Sequence, residues 1–191
     1  LCLRNLLRNH ELMKQAGAKE WSKEDATYIA GTLVDVASPD AAIFLANYLQ
    51  HDNMPNEKTQ LAYQQVIRFI PEGQLDGGIQ GAKEKRTSDI DVNAQVFRGI
   101  KEGLAQRGGN TKAKLMEPWG KEIAEGLLRK YPAEYDSISN QIIARQSFAI
   151  QLAGDYKVQS LEPALKAFLE NKSVENMELK TSALRSLLKM A

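Results

Sequence analysis

Two glycine-rich segments are candidates for phosphate binding, a group of four glycines and a later Gly-Gly pair, because glycine lets backbone N–H groups approach phosphate oxygens closely. The four are Gly73, Gly77, Gly78 and Gly81. They do not follow a strand, they lack Gly-Lys-Ser/Thr, and they do not match G-x-G-x-x-G. The order in Gly108 to Lys112 (GGNTK) fits neither motif, and we interpret it as a helix stop and a turn. Each helical glycine costs about 1 kcal/mol relative to alanine, so we expect a short or irregular helix between Pro71 and Glu84.

Metal and nucleophile chemistry would have to come from very few residues. The only histidines are His10 and His51, and Cys2 is the only cysteine. Glu11 directly follows His10, and Asp52 directly follows His51. On a helix, each carboxylate would therefore point to a different face from its neighbouring histidine. No spaced His/Glu ligand pattern and no local Ser/His/Asp or Cys/His arrangement is present. The sequence therefore predicts no catalytic residue, no metal ligand and no cofactor, although a triad scattered along the chain stays open.

A basic cluster is the remaining candidate for ligand binding. It comprises Lys83, Lys85 and Arg86, with Arg98, Lys101 and Arg107 farther along the chain. The 191 residues carry 25 Lys and Arg against 24 Asp and Glu, a formal net charge of +1. A nucleic-acid binder is expected to show a basic excess. We interpret the cluster as a solvated turn and expect no nucleic-acid partner.

The segments that would position any site are helical in pattern. Ser22 and the Ser38-Pro39 pair mark helix starts, and apolar residues follow each at three- and four-residue spacing. Residues 39–70 predict one antiparallel hairpin, and Ser160 to Met190 predicts another. No run of residues favours a strand. The fold class predicted is all-α, with antiparallel helical hairpins stacked as an irregular HEAT/armadillo-like α-α superhelix.

Other predicted boundaries follow from caps and breakers. They place helices from Leu1 to Ala16, from Ser88 to Gly108, from Pro118 to Tyr131 and from Ser137 to Ala153. The last of these has a broad apolar surface and is expected to be covered on two sides. In the final hairpin the predicted apolar stripes of facing helices contain Leu165, Phe168, Leu184 and Leu187.

The longest apolar stretches are short. Ala41 to Ala46 (AAIFLA) falls far below the roughly 20 residues that span a bilayer, so we expect a soluble chain with no membrane span. The chain begins LCLRNLL, without an initiator methionine or the plan of a signal peptide. We interpret residues 1–191 as a single α-helical repeat domain cut from a longer protein.

Several strings resemble known repeat proteins. Leu161 to Leu169 and Met177 to Leu188 resemble the two helices of a HEAT-like repeat. Pro39 to Leu45 (PDAAIFL) and Phe97 to Gly108 (FRGIKEGLAQRG), followed by Trp119-Gly120, resemble the helical repeat region of large multidomain bacterial secreted proteins. In that family the region accompanies a 3-keto-disaccharide hydrolase-like or a c-type haem domain. The resemblance implies a secreted or periplasmic location and activity that belongs to neighbouring domains.

These observations favour one function and leave an alternative. The favoured function is a non-enzymatic helical scaffold or interaction module that docks a protein partner or an adjacent domain of the same chain. The alternative is a helical-repeat enzyme of the DNA glycosylase type. That enzyme would need its basic residues in one concave groove, with Trp119 or a carboxylate inside it.

Overall fold

A computed structural model describes residues 3–108, 113–135, 139–171 and 177–191, and all regular secondary structure in these ranges is helical. This confirms the all-α prediction. The helices are α1 (Leu3–Leu6), α2 (His10–Ala18), α3 (Lys23–Leu33), α4 (Pro39–His51), α5 (Asn56–Phe69), α6 (Glu72–Glu84), α7 (Ile90–Gln106), α8 (Ala113–Lys130), α9 (Asn140–Asp155), α10 (Glu162–Glu170) and α11 (Met177–Met190). A 3₁₀ turn, Gln159–Leu161, precedes α10.

The chain divides into two compact units. Unit 1 is Leu1–Lys112 and contains α1 to α7, and unit 2 is Ala113–Ala191 and contains α8 to α11. The assignment of residues 1–191 to one repeat domain, and the stacking of hairpins into a superhelix, stay predictions.

Helix starts lie where the capping residues place them. The Ser22 hydroxyl accepts a hydrogen bond from the Asp25 N–H at 3.1 Å, and Ser38 does the same for Ala41 with Pro39 as the first helical residue. Such caps satisfy N–H groups that have no partner within the helix. The sequence therefore fixes the starts of α3 and α4 locally, before any packing is considered.

Unit 1 is built around α5. This helix forms the predicted hairpin with α4, and it makes its most extensive packing with α7 rather than with α6, the next helix in the chain. Close packing with α7 is possible because Gly99 and Gly103 present no side chain to α5. The fully buried core of this unit includes Met13, Leu33, Leu45, Ile67, Leu75, Ile79, Phe97 and Ile100.

Unit 2 is centred on α9, which packs against both α8 and α11, as the broad apolar surface of this segment predicts. The α10 helix in turn packs on α11, so the predicted last hairpin is confirmed. Trp119, Ile123, Leu127, Leu165 and Phe168 are fully buried within the unit.

Three predicted boundaries are wrong. The segment from Leu1 to Ala16 is not one helix, because Asn9 caps a new one by accepting from the Leu12 N–H at 3.2 Å. The α6 helix is a full 13-residue helix rather than a short or irregular one, since Leu75, Ile79 and Ala82 bury one face of it. Pro118 lies inside α8 rather than at its start. A proline inside a helix removes one backbone hydrogen bond and crowds the carbonyl four residues earlier, and the buried apolar face of α8 offsets that cost.

Two helix ends in unit 1 are held by distant cations. Arg107 follows α7 and donates to the carbonyl oxygens of Ile67 and Ile70 at the end of α5, at 3.0 and 2.7 Å. Lys85 follows α6 and donates to the carbonyl oxygens of Leu49 and Asp52 at the end of α4. Final-turn carbonyls lack partners within their own helix, so these contacts satisfy them.

Candidate functional site

The last helix, α11, has one face turned into unit 2. We call this the α11 inner face, and it consists of Leu179, Ala183, Ser186 and Met190, all buried. Because these residues recur at three- and four-residue spacing, they form one stripe along the helix. The inner face fixes the rotation of α11 about its own axis.

Ser186 and Gly154 explain how closely α11 approaches α9. A Cβ built on Gly154 would lie 2.6 Å from the Ser186 Oγ and 2.7 Å from its Cα. The buried Ser186 hydroxyl donates to the Ile150 carbonyl oxygen at 2.8 Å, which satisfies the only polar group of the inner face side chains. Two polar contacts fasten the C-terminal end of the helix: Lys189 with Asp155 at 2.7 Å, and Gln159 with the Met190 carbonyl oxygen at 3.0 Å. These contacts fix the position of α11 against α9.

The opposite face of α11 is apolar and open to solvent. We call it the α11 outer face, formed by Met177, Thr181, Leu184 and Leu188. Met177 is 71% exposed, Leu184 50% and Leu188 69%. Thr181 donates its hydroxyl to the Met177 carbonyl oxygen at 2.8 Å, which leaves its methyl group for apolar contact. Single exposed apolar residues are common, but three large ones in line on one helix, with the Thr181 methyl group between them, are typical of a contact surface.

The placement of Leu184 corrects a prediction. The sequence places Leu184 and Leu187 on the stripe that faces α10, together with Leu165 and Phe168. The structure buries Leu165 and Phe168 fully, but it leaves Leu184 on the outer face and Leu187 only half-buried. The small side chains of the inner face allow a closer approach to α9 than leucines would, and this sets the helix rotation.

Charged residues flank the outer face. Glu178 and Arg185, both exposed, lie on one side of the stripe seven positions apart. On a helix, seven residues are nearly two turns, so the two side chains lie on the same side of the stripe. Lys180, half-buried, lies on the other side. The face is thus an apolar strip with an acidic and a basic group along one edge.

The glycine cluster does not form a loop. Gly77, Gly78 and Gly81 lie within α6 and line one side of a small cleft of about 40 Å³. The rest of the lining comes from α4 and α5 and includes Tyr63, whose pKa is raised to about 12 by burial. The lining carries no charged side chain, so this cleft does not have the character of a phosphate site.

The predicted basic cluster does not provide a row of available cations. Burial lowers the pKa of Lys85, partly offset by the negative charge of Asp52, and its ammonium group is bound to carbonyl oxygens. Arg107 is bound to the end of α5 and to the Glu72 carboxylate at 2.8 Å. Trp119 is buried inside unit 2. These contacts do not favour a basic groove built on the predicted residues.

The histidines give one contact that sequence spacing did not reveal. His10 Nδ1 lies 2.5 Å from the Asp40 carboxylate, although the two residues are 30 positions apart. No spacing along the sequence links them, because α2 and α4 meet only in the folded unit. His51 is exposed at the end of α4. Within the described ranges, no three His, Cys, Asp or Glu residues converge as a metal site would require.

Some predicted features lie outside the described residues. These are Cys2, the part of the second glycine segment from Gly109 to Lys112, and the predicted helix start at Ser137. Gly108 is described, and its positive φ of 80° ends α7 in the left-handed conformation that favours glycine. Among the helices that the structure describes, none combines the length and the apolar character of a membrane span.

The outer face was missed because apolar periodicity alone does not say which of two stripes is buried. A signal was present in the sequence. Two apolar stripes lie on opposite sides of α11, one containing small residues and one containing Met177, Leu184 and Leu188. A helix with apolar residues on both sides is typical of a layer between two others.

No protein-family model, no curated protein and no solved structure matches this chain. Function is therefore inferred from the surface of the molecule itself.

Proposed function

We propose that this chain is a non-catalytic helical-repeat scaffold that docks another protein segment through the α11 outer face. The observation that carries the proposal is the exposure of Met177, Leu184 and Leu188 on a helix whose opposite face is already buried. An exposed apolar strip on a helix that is packed along its opposite face favours contact with another helix, because burial of that strip removes apolar surface from water.

The proposed setting is a larger multidomain protein. The resemblance of Pro39 to Leu45 and Phe97 to Gly108 to the repeat region of bacterial secreted proteins supports it. In that setting the docked segment is a separate protein or an adjacent domain of the same chain, and catalysis belongs to the companion domains. Lys85 and Arg107 donate hydrogen bonds to backbone carbonyl oxygens within unit 1, and this also favours a scaffold over a nucleic-acid enzyme.

Site-specific photo-cross-linking tests this function. A photoreactive residue at position 184 or 188 should form cross-links whose peptides, identified by mass spectrometry, belong to a defined protein segment. Position 28 is a matched control, because Tyr28 is 70% exposed and Leu188 is 69% exposed. Cross-links at positions 184 and 188 no more frequent than at position 28 would refute the proposal.

A further inference from the structure

We propose that the segment docked on the α11 outer face is α11 of a second copy of this chain, arranged antiparallel about a two-fold axis. This inference rests on the proposed function and names the partner for the same surface. It is argued from the spacing of the apolar residues and from the charges that flank them.

The spacing of the outer face fits helix pairing. Met177, Thr181, Leu184 and Leu188 follow one another at intervals of four, three and four residues. Alternating steps of four and three residues are the pattern of a coiled-coil seam, which is narrower than the face a helix presents to a globular core. A helix is therefore a better match for the strip than a sheet or a broad surface.

The seam is also complementary to itself when the helices run antiparallel. A two-fold axis beside the midpoint of α11 pairs Met177 of one copy with Leu188 of the other, and Thr181 with Leu184. Each pairing occurs twice, as an isologous interface requires. Two of the four layers thus pair Met177 with Leu188, and the other two pair Leu184 with the methyl group of Thr181.

The flanking charges favour the same arrangement. In the antiparallel register Glu178 of one copy lies close to Arg185 of the other, and the symmetry repeats this pair on the far side of the axis. A parallel pair in register would place this edge of one copy against the opposite edge of the other, which carries Lys180 and Leu187, so Arg185 would have no carboxylate across the seam. Opposite charges across a helix interface select orientation in this way.

The interface is small, which sets its strength. Three large apolar side chains per copy cannot bury the area of a standard stable complex, about 1,200–2,000 Å² in total. We therefore expect a weak dimer, with a dissociation constant of roughly 10–100 μM. Such a dimer is detectable in solution and sensitive to single substitutions at its centre.

Analytical ultracentrifugation across this concentration range is the test. The parent chain should show a monomer–dimer equilibrium, and Leu184→Glu should raise the dissociation constant by at least about tenfold because it places a carboxylate in the seam. Tyr28→Glu is the matched control, since it adds the same charge at an exposed apolar position elsewhere, and it should leave the equilibrium unchanged. Thermal melts of each variant establish that it is folded.

Exchanging the charges at positions 178 and 185 distinguishes specific helix pairing from non-specific association. Glu178→Arg and Arg185→Glu should each weaken self-association several-fold, and the double variant should recover it by restoring opposite charges across the axis. A monomeric parent chain, a dimer indifferent to Leu184→Glu, or a double variant as weak as the single variants would overturn the inference. A monomeric chain that still cross-links from position 184 to a different segment would refute the second copy while leaving the docking function intact.

Discussion

Gly99 and Gln60 are in contact through their backbones: a Cβ built on Gly99 would lie 2.2 Å from the Gln60 carbonyl oxygen. One turn later, a Cβ on Gly103 would lie 2.7 Å from the Gln64 carbonyl oxygen. Two glycines four residues apart thus let α7 approach the main chain of α5. A nearby side-chain contact supports the same pairing, since the Gln60 amide donates to both Glu102 carboxylate oxygens at 3.0–3.1 Å.

This contact predicts that Gly99→Ala destabilises unit 1. The added methyl group meets a backbone oxygen that cannot rotate away, so we expect the free energy of unfolding to fall by about 1–3 kcal/mol or more. Gly77→Ala is the control, because a Cβ there meets nothing within 4 Å. It should raise the free energy of unfolding by roughly 0.5–1 kcal/mol through helix propensity. Urea denaturation followed by circular dichroism measures both, and effects of the same sign would contradict the packing.

Phe168→Ala should strongly destabilise unit 2. The Phe168 side chain is fully buried, and its truncation leaves a cavity that costs about 3–5 kcal/mol. Leu188→Ala removes a similarly apolar but 69% exposed side chain, and in dilute solution it should change stability by less than about 0.5 kcal/mol. Thermal unfolding at low protein concentration compares the two variants. Equal melting temperatures for both would show that the burial of Phe168 is wrongly assigned.

Two tyrosines predict a loss of stability in alkali. Burial raises the pKa of Tyr63 to about 12, and burial together with the charges of Asp155 and Glu117 raises that of Tyr156 to about 12. An unfolded tyrosine titrates near 10, so between about pH 10 and 12 the folded chain binds more protons than the unfolded chain. Their contribution is complete below about pH 10 and is lost as the pH rises toward 12. For the buried Tyr63 the loss is at most about 3 kcal/mol, and for Tyr156 it is smaller because solvent screens this partly exposed group.

The two tyrosine groups can be separated by substitution. Tyr63→Phe removes one titrating hydroxyl and should reduce the fall in urea midpoint between pH 10 and 12, while Tyr156→Phe should do the same for unit 2. Absorbance at the phenolate band reports the titration directly. An unchanged alkaline slope in both variants would exclude these groups as its cause.

Arg107→Met should destabilise the junction of α5 and α7. The substitution keeps much of the apolar stem but removes the donors that satisfy the Ile67 and Ile70 carbonyl oxygens. Hydrogen bonds from charged groups are worth about 1.5–3 kcal/mol, and we expect a loss in this range. Lys121→Met is the comparison, because within the described part of the chain Lys121 pairs with Glu117 at the surface, a contact of a kind worth about 0–1 kcal/mol. Similar losses in chemical denaturation would argue against the capping role.

The sequence predicts those parts of the fold that depend on neighbours along the chain. Ser22 and Ser38 cap their helices through residues three positions away, so their signals are local and the predicted starts are confirmed. The close contact of Gly99 with Gln60 joins residues 39 positions apart, and no local pattern distinguishes it from an ordinary helical glycine. The hairpins could be predicted from segment length and apolar spacing. The helix against which each helix packs most extensively is known only from the folded structure.

The candidate site was predictable only in part. The apolar residues of α11 were visible, but their rotation depends on Ser186 fitting against Gly154, two small residues 32 positions apart. Leucine is a stronger indicator of burial than alanine or serine, so the sequence placed Leu184 on the buried side of α11, whereas it lies on the exposed side. The contact of His10 with Asp40 was likewise hidden, because it exists only where α2 packs on α4.

The glycines of α6 bear on the order in which unit 1 folds. Gly73, Gly77, Gly78 and Gly81 together lower the intrinsic helix stability of this segment by about 4 kcal/mol relative to alanine, so the isolated segment is a poor helix former. Its helical state depends on burying Leu75 and Ile79 against α4 and α5. We therefore expect α6 to become helical only after those two helices have paired, and we expect native-state hydrogen exchange to show its amide hydrogens exchanging through local openings that leave the α5–α7 pair closed.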